Sequence, residues 1–148
     1  MKQRYGEGVS VPKYHDFSYM CFHTPYSKMV QKSFFTVLEH DILEQKGKPN
    51  CSYPPELYEQ ISRTKGNDRA MQEVLMKHFK RDWENKCERT LLLAKQLGNT
   101  YTGSLYNGLL SLVCDEQVDL TGKQVMMFSY GSGCAASMFV LRFTSGYK

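Results

Sequence analysis

The hydrophobic period of this chain changes sharply at residues 23–25, and that change restricts its fold more than any other feature. Phe17-Ser18-Tyr19-Met20-Cys21-Phe22-His23 is an aromatic-rich, strand-like run that stops at Thr24-Pro25. Beyond it, Val30, Phe34, Val37, Leu38 and Ile42 recur at helical spacing and share one face. Thr24 is predicted as the N-cap, Pro25 as the first helical residue, and Gly47 with Pro49 as the stop. A strand running straight into an amphipathic helix, with His23 at the strand's carboxyl end, is the unit of an α/β fold.

The same logic returns later in the chain. Residues 91–94 are predicted as a short strand leading to a turn, Gly98-Asn99-Thr100-Tyr101-Thr102-Gly103. A helix comes next, with Leu105, Leu109, Leu112 and Val113 on one face. Thr121-Gly122 then break the chain before two strand-like runs, residues 125–128 and 135–143. Between these lies Ser129-Tyr130-Gly131-Ser132-Gly133, too rich in glycine for a strand interior. Polar loops thus gather where strands end, the edge at which open α/β sheets bind ligands.

The stretch from about 46 to 90 separates the two units and reads as a charged surface elaboration. It is turn-rich around Pro49, Pro54 and Pro55 and carries a polar helix near Asp68–Lys86. It holds 10 of the 19 basic and 7 of the 15 acidic side chains, so most of the net charge of +4 lies there. Both signs are interspersed, which fits a solvated face and argues against nucleic-acid binding.

A length of 148 residues is one domain's worth of chain, enough to bury about 70% of its unfolded surface. No run approaches the roughly 18 apolar residues of a membrane span, and residues 1–8 lead into no apolar signal core, so no membrane partner is expected. The five cysteines, Cys21, Cys51, Cys87, Cys114 and Cys134, form no Cys-x-x-Cys pair. No metal site is suggested, and reduced thiols in an intracellular compartment fit best.

Several residues could carry chemistry. His23 ends an apolar strand, a place for either a structural or a functional imidazole. Lys28 and Lys32 lie one helical turn apart near a helix start, where cations oppose both each other and the macrodipole. An anionic ligand such as a phosphate would offset that, though spacing alone favours two solvated lysines. Asn99 reads as a turn residue, or as an amide that joins an imidazole in donating to one carbonyl oxygen. Gly131-Ser132-Gly133-Cys134-Ala135-Ala136 fits the dinucleotide fingerprint, but no acidic residue lies beyond it to hold a ribose. The next run, Met138-Phe139-Val140-Leu141-Arg142-Phe143, reads as strand rather than helix, so that fingerprint is rejected.

Three of these segments, in this order, resemble the hydroxymethylglutaryl-CoA synthase family. They are Phe22-His23-Thr24-Pro25-Tyr26-Ser27-Lys28-Met29-Val30-Gln31-Lys32-Ser33, Gly98-Asn99-Thr100-Tyr101-Thr102 and Phe128-Ser129-Tyr130-Gly131-Ser132-Gly133-Cys134-Ala135-Ala136. The likeness covers nearly the whole of 1–148 and is weakest across 46–90; Thr100 and Cys134 stand where the family more often has apolar residues. It implies the C-terminal half of a thiolase-like α/β fold, a mixed sheet with helices on its faces. It also implies condensation of acetyl-CoA with acetoacetyl-CoA, with coenzyme A thioesters as substrates and no cofactor. His23 would then be catalytic and orient the acetoacetyl thioester. Asn99 would share its carbonyl, Ser132 would touch the acyl intermediate, Lys28 and Lys32 would contact coenzyme A, and Tyr101 and Tyr130 would line the pocket. The family enzyme is a homodimer, and its location here is expected to be cytoplasmic, with a mitochondrial form left open.

In the family the nucleophilic cysteine and the catalytic glutamate lie far upstream of the histidine, whereas 22 residues precede His23 here. A portion beyond the Gly-Ser-Gly strands is likewise expected after Lys148. The resemblance therefore implies a chain inactive by itself, with apolar strand edges left exposed. The alternatives are a non-catalytic truncated isoform and a coenzyme A-binding or interaction module.

Overall fold

The period switch at residues 23–25 is realised as a parallel strand running into a long helix. The computed structural model describes residues 13–49, 51–131 and 135–146. Its regular elements are β1 (Tyr19–Phe22), α1 (Ser27–Gln45), α2 (Pro55–Arg63), α3 (Asp68–Lys86), α4 (Leu92–Leu97), α5 (Ser104–Val113), β2 (Gln124–Tyr130) and β3 (Ala136–Arg142). The sheet order is β1-β2-β3. β1 pairs parallel with β2, Met20 opposite Met126 and Phe22 opposite Phe128. β2 pairs antiparallel with β3, Val125 opposite Leu141 and Phe128 opposite Met138. This is the mixed sheet of an α/β fold, and the hairpin after Tyr130 rules out a dinucleotide-binding helix there.

Strand alternation sorts the core into two layers. Met20, Phe22 and Met126 face a cluster built with Val30, Phe34, Phe35, Leu38 and Ile42 of α1. Cys21, Val125 and Met127 face the other way, against Leu105 and Leu112 of α5 and Val118 and Leu120 of the loop after it. Helix α5 reaches the sheet closely because its inner face is small: Ser104, Gly108 and Ser111 are all buried. A Cβ placed on Gly108 would lie 3.5 Å from the Thr90 carbonyl oxygen and 3.6 Å from the Cys21 side chain.

The charged segment contributes helices as well as surface. Leu57, Tyr58 and Ile61 of α2 and Met71, Leu75 and Trp83 of α3 are buried in the first cluster, while ion pairs such as Lys80–Glu84 and Arg69–Glu73 lie on the solvent side. Trp83 meets Phe34 edge-on at 5.6 Å between ring centroids. At the end of α3, Lys86 Nζ donates to the Phe17 carbonyl at 2.7 Å, tying the helix to the entry of β1.

Three local expectations are corrected. Helix α1 starts at Ser27 with Tyr26 as N-cap, and no side chain caps it. Thr24 is instead buried, its hydroxyl donating to the Phe22 carbonyl at 2.8 Å. Residues 91–94 are helical, a 3-10 turn over Glu88–Leu91 followed by α4. Their Leu-Leu-Leu-Ala sequence lacks the β-branched side chains that hold a strand, and the Leu93 N–H is taken by the Ser111 hydroxyl. Ser129 and Tyr130 extend β2 by two residues beyond the expected end.

One buried pair is poorly satisfied. Asp41 Oδ2 and Gln45 Nε2, one turn apart on the inner face of α1, have no hydrogen-bond partner among the described residues. Burial pushes the Asp41 carboxyl above its ordinary range, and the neighbouring His15 and Lys13 oppose this.

Candidate functional site

His23 leaves the carboxyl end of β1 with its backbone still in the ladder, its N–H donating to the Phe128 carbonyl at 2.8 Å. That bond fixes where the imidazole starts. Two contacts then fix how the ring lies. Its Nδ1 is 2.7 Å from Ser104 Oγ, on the first residue of α5. Tyr130, at the end of β2, stands perpendicular to the ring at 5.4 Å between centroids. Ser104 is 1% exposed, and its hydroxyl also accepts the Thr24 N–H at 3.1 Å. The start of α5 therefore clamps both His23 and the residue after it.

Asn99 lies on the turn that ends at Ser104. Gly98 opens this turn at φ +72°, and Tyr101 holds a left-handed φ of 53°, rare for a residue with a side chain. The Tyr101 N–H donates to Asn99 Oδ1 at 2.8 Å, an Asx turn. Because the amide oxygen is engaged, the Asn99 Nδ2 hydrogens are left to donate outward. Asn107 Nδ2 holds the turn from below by donating to Thr100 Oγ1 at 2.9 Å.

The remaining predicted residues are more dispersed. Lys28 and Lys32 are exposed on the first two turns of α1. Lys32 Nζ pairs with Asp68 Oδ2 at 2.6 Å, which raises the Lys32 pKa, chiefly through that hydrogen bond. The unfavourable spacing of the two lysines is thus offset partly by the protein itself. Lys28 has no ion pair among the described residues. Tyr101 is 77% exposed and turned to solvent, unlike Tyr130. Ser132 and Cys134 lie outside the described residues.

By contact, the structure joins His23, Ser104 and Tyr130, with Asn99 carried on the turn leading into Ser104. Ser104 escaped the sequence reading: it stands 81 residues from His23 and belongs to no recognised short motif. Its one local signal was being a small polar residue at a helix start. His23 places an imidazole at the carboxyl end of a parallel strand, where an N–H donor suits stabilisation of charge on a carbonyl oxygen, and Asn99 offers a second potential donor on the turn leading into Ser104. No group of three or more potential metal ligands occurs among the described residues, and no described helix is long and apolar enough to cross a membrane. A cavity of about 1100 Å³ lies elsewhere, at the far ends of α1 and α2 beside Lys46, Tyr53, Tyr58 and Arg63, and holds none of the predicted residues.

Comparison with known proteins gives concordant results. The hydroxymethylglutaryl-coenzyme A synthase C-terminal family matches residues 1–147. Hydroxymethylglutaryl-CoA synthase A of Dictyostelium discoideum is 46% identical over 142 residues, 93% of this chain and 28% of its own length. The cytoplasmic human hydroxymethylglutaryl-CoA synthase is 36% identical over 134 residues, 87% of this chain and 26% of its own. Among solved structures, an HMG-CoA synthase complexed with CoA matches with a TM-score of 0.56 at 30% identity, over 91% of this chain and 26% of its own. MvaS in complex with 3-hydroxy-3-methylglutaryl coenzyme A matches with a TM-score of 0.64 at 24% identity, over 95% and 29%; that likeness bears on the fold. The chain spans a little over a quarter of the length of the curated relatives it matches.

Proposed function

The chain belongs to the hydroxymethylglutaryl-CoA synthase family, and from that premise we propose that it carries the histidine–asparagine half of a site condensing acetyl-CoA with acetoacetyl-CoA. The observation that carries this reading is the clamped His23 imidazole beside a turn that leaves the Asn99 amide hydrogens free. As the new carbon–carbon bond forms, negative charge grows on the acetoacetyl carbonyl oxygen under attack, and two fixed N–H donors stabilise it without reorganising. Lys28 and Lys32 meet the coenzyme A phosphates, Ser132 touches the acyl group, and Tyr130 and Tyr101 form the wall. Coenzyme A thioesters are the substrates and no further cofactor is required. The working enzyme is a cytoplasmic homodimer.

On this reading the attacking carbon comes from an acetyl group held on a cysteine thiolate, and a glutamate moves the protons. None of the five cysteines stands at the family's nucleophile position, so the chain by itself is expected to bind thioester without turnover. Titrating the chain with acetoacetyl-CoA and with free CoA tests this. His23→Ala should weaken acetoacetyl-CoA about 10-fold, the loss of one charge-directed hydrogen bond, and leave free CoA unchanged. Lys28→Ala should weaken both equally, and more than Lys32→Ala, because Lys32 is shared with Asp68. Equal affinities for the two ligands with an inert His23 would instead support a CoA-binding module without chemistry. Turnover by the chain alone, abolished in His23→Ala, would overturn the division of the site.

A further inference from the structure

We propose that Ser104 is a positioning residue that holds His23 in a single tautomer, with the proton on Nε2 and Nδ1 unprotonated. The argument is one of hydrogen-bond polarity. The Thr24 backbone N–H can only donate, and it occupies one acceptor site of Ser104 Oγ at 3.1 Å. The same oxygen lies 2.7 Å from His23 Nδ1. If Nδ1 carried the proton, Ser104 Oγ would accept twice and its own hydrogen would need a third partner. Ser104 is 1% exposed and has no other hydrogen-bond partner among the described residues. A buried hydroxyl hydrogen without an acceptor is costly, so that arrangement is disfavoured against the one in which every group is satisfied. The hydroxyl therefore donates to Nδ1, and the imidazole proton sits on Nε2.

The backbone makes the device unidirectional. Thr24 N–H comes directly after His23, so the donor that polarises Ser104 is carried by the chain that carries the imidazole, and the three groups move together. Asn99 is treated in the same way by the Tyr101 N–H, which occupies its oxygen and leaves its nitrogen facing out. One short segment, the turn into α5, thus presents both side chains as donors. Their catalytic meaning rests on the thioester reading above; the tautomer itself does not.

Nitrogen NMR of the complete chain with ¹⁵N-labelled histidine tests the proposal, with the His23 signals identified by their loss in His23→Gln. With the imidazole neutral, His23 is expected to show Nε2 protonated and Nδ1 as a hydrogen-bonded acceptor. In Ser104→Ala the Nδ1 resonance should move to that of an acceptor without a donor, and Ser104→Thr, which keeps the hydroxyl, should restore it. A protonated Nδ1 in the unaltered chain overturns the proposal, and that measurement decides the matter even where Ser104→Ala fails to fold. An Nδ1 resonance unmoved in a folded Ser104→Ala overturns it as well. Adding acetoacetyl-CoA separates the two readings. A shift of the Nε2 signal supports the thioester site, while no response counts against that site and leaves the tautomer standing. Ser104→Ala should weaken acetoacetyl-CoA several-fold with free CoA unchanged, whereas a purely structural role would weaken both.

Discussion

β1 and β3 flank the same central strand with comparably apolar sequences, yet they live in opposite environments. Met20 and Cys21 are fully buried and Phe22 nearly so, whereas Met138 is 53% exposed and Phe139 and Val140 are 40% exposed. Composition does not separate them; the layers do. α1 and α3 cover β1 on one face and α5 covers it on the other, while β3 meets that packing only through Leu141. Apolar side chains on both faces of an uncovered edge strand form a surface that invites association. The candidate residue His23 sits at the covered strand, as the first residue past buried β1.

The largest effect expected is at the covered strand. Phe22→Ala should cost about 3–5 kcal/mol in urea unfolding, the usual range for a buried phenylalanine, against under about 1 kcal/mol for Phe139→Ala. Equal costs would break the comparison and mean that β3 is covered in solution. Next, Gly108→Leu should cost about 1–3 kcal/mol by overpacking α5 against β1. Gly108→Ala should instead gain about 0.5–1 kcal/mol, since its Cβ would meet neighbours at ordinary contact distance. A loss with alanine would show that α5 lies closer to β1 than the helix backbone indicates.

A smaller, pH-dependent effect sharpens the picture of the covered side. Burial raises the Asp41 pKa above its ordinary value of 3.8, so the folded state holds a proton that the unfolded state gives up. The resulting penalty is full above the raised value and vanishes below 3.8. Asp41→Asn should therefore stabilise the protein near neutral pH, with the gain fading as the pH falls through that window in parallel thermal melts. A gain constant with pH would remove the titration argument. Smallest of all, Val140→Thr should alter stability by less than about 0.5 kcal/mol while reducing any self-association seen by sedimentation.

The legible parts of the fold were those with long, regular patterns. The spacing of Val30, Phe34, Leu38 and Ile42 yields α1, and the apolar runs after Thr121-Gly122 yield β2 and β3. α2 escaped because Pro54 and Pro55 read as turn, although Pro55 opens the helix and Leu57, Tyr58 and Ile61 mark its inner face. The run 91–94 was too short for its period to separate helix from strand. At the candidate site, His23 and Tyr130 were both anticipated, and the structure brings their rings together. Ser104 was invisible because its role is set by a fold-wide juxtaposition, and Asp68 was not foreseen as the partner of Lys32.

The 81-residue separation between His23 and Ser104 also bears on how the molecule assembles in time. Closing a loop of that length costs about 4 kcal/mol of chain entropy, and the parallel β1–β2 pairing spans a still longer stretch. Local helices such as α1 and α3 can form early, but the imidazole acquires its hydroxyl partner only when both ends of this segment have met. The His23–Ser104 contact is thus a late product of folding, and a nascent chain exposes the Met20-Cys21-Phe22 strand until β2 has been synthesised.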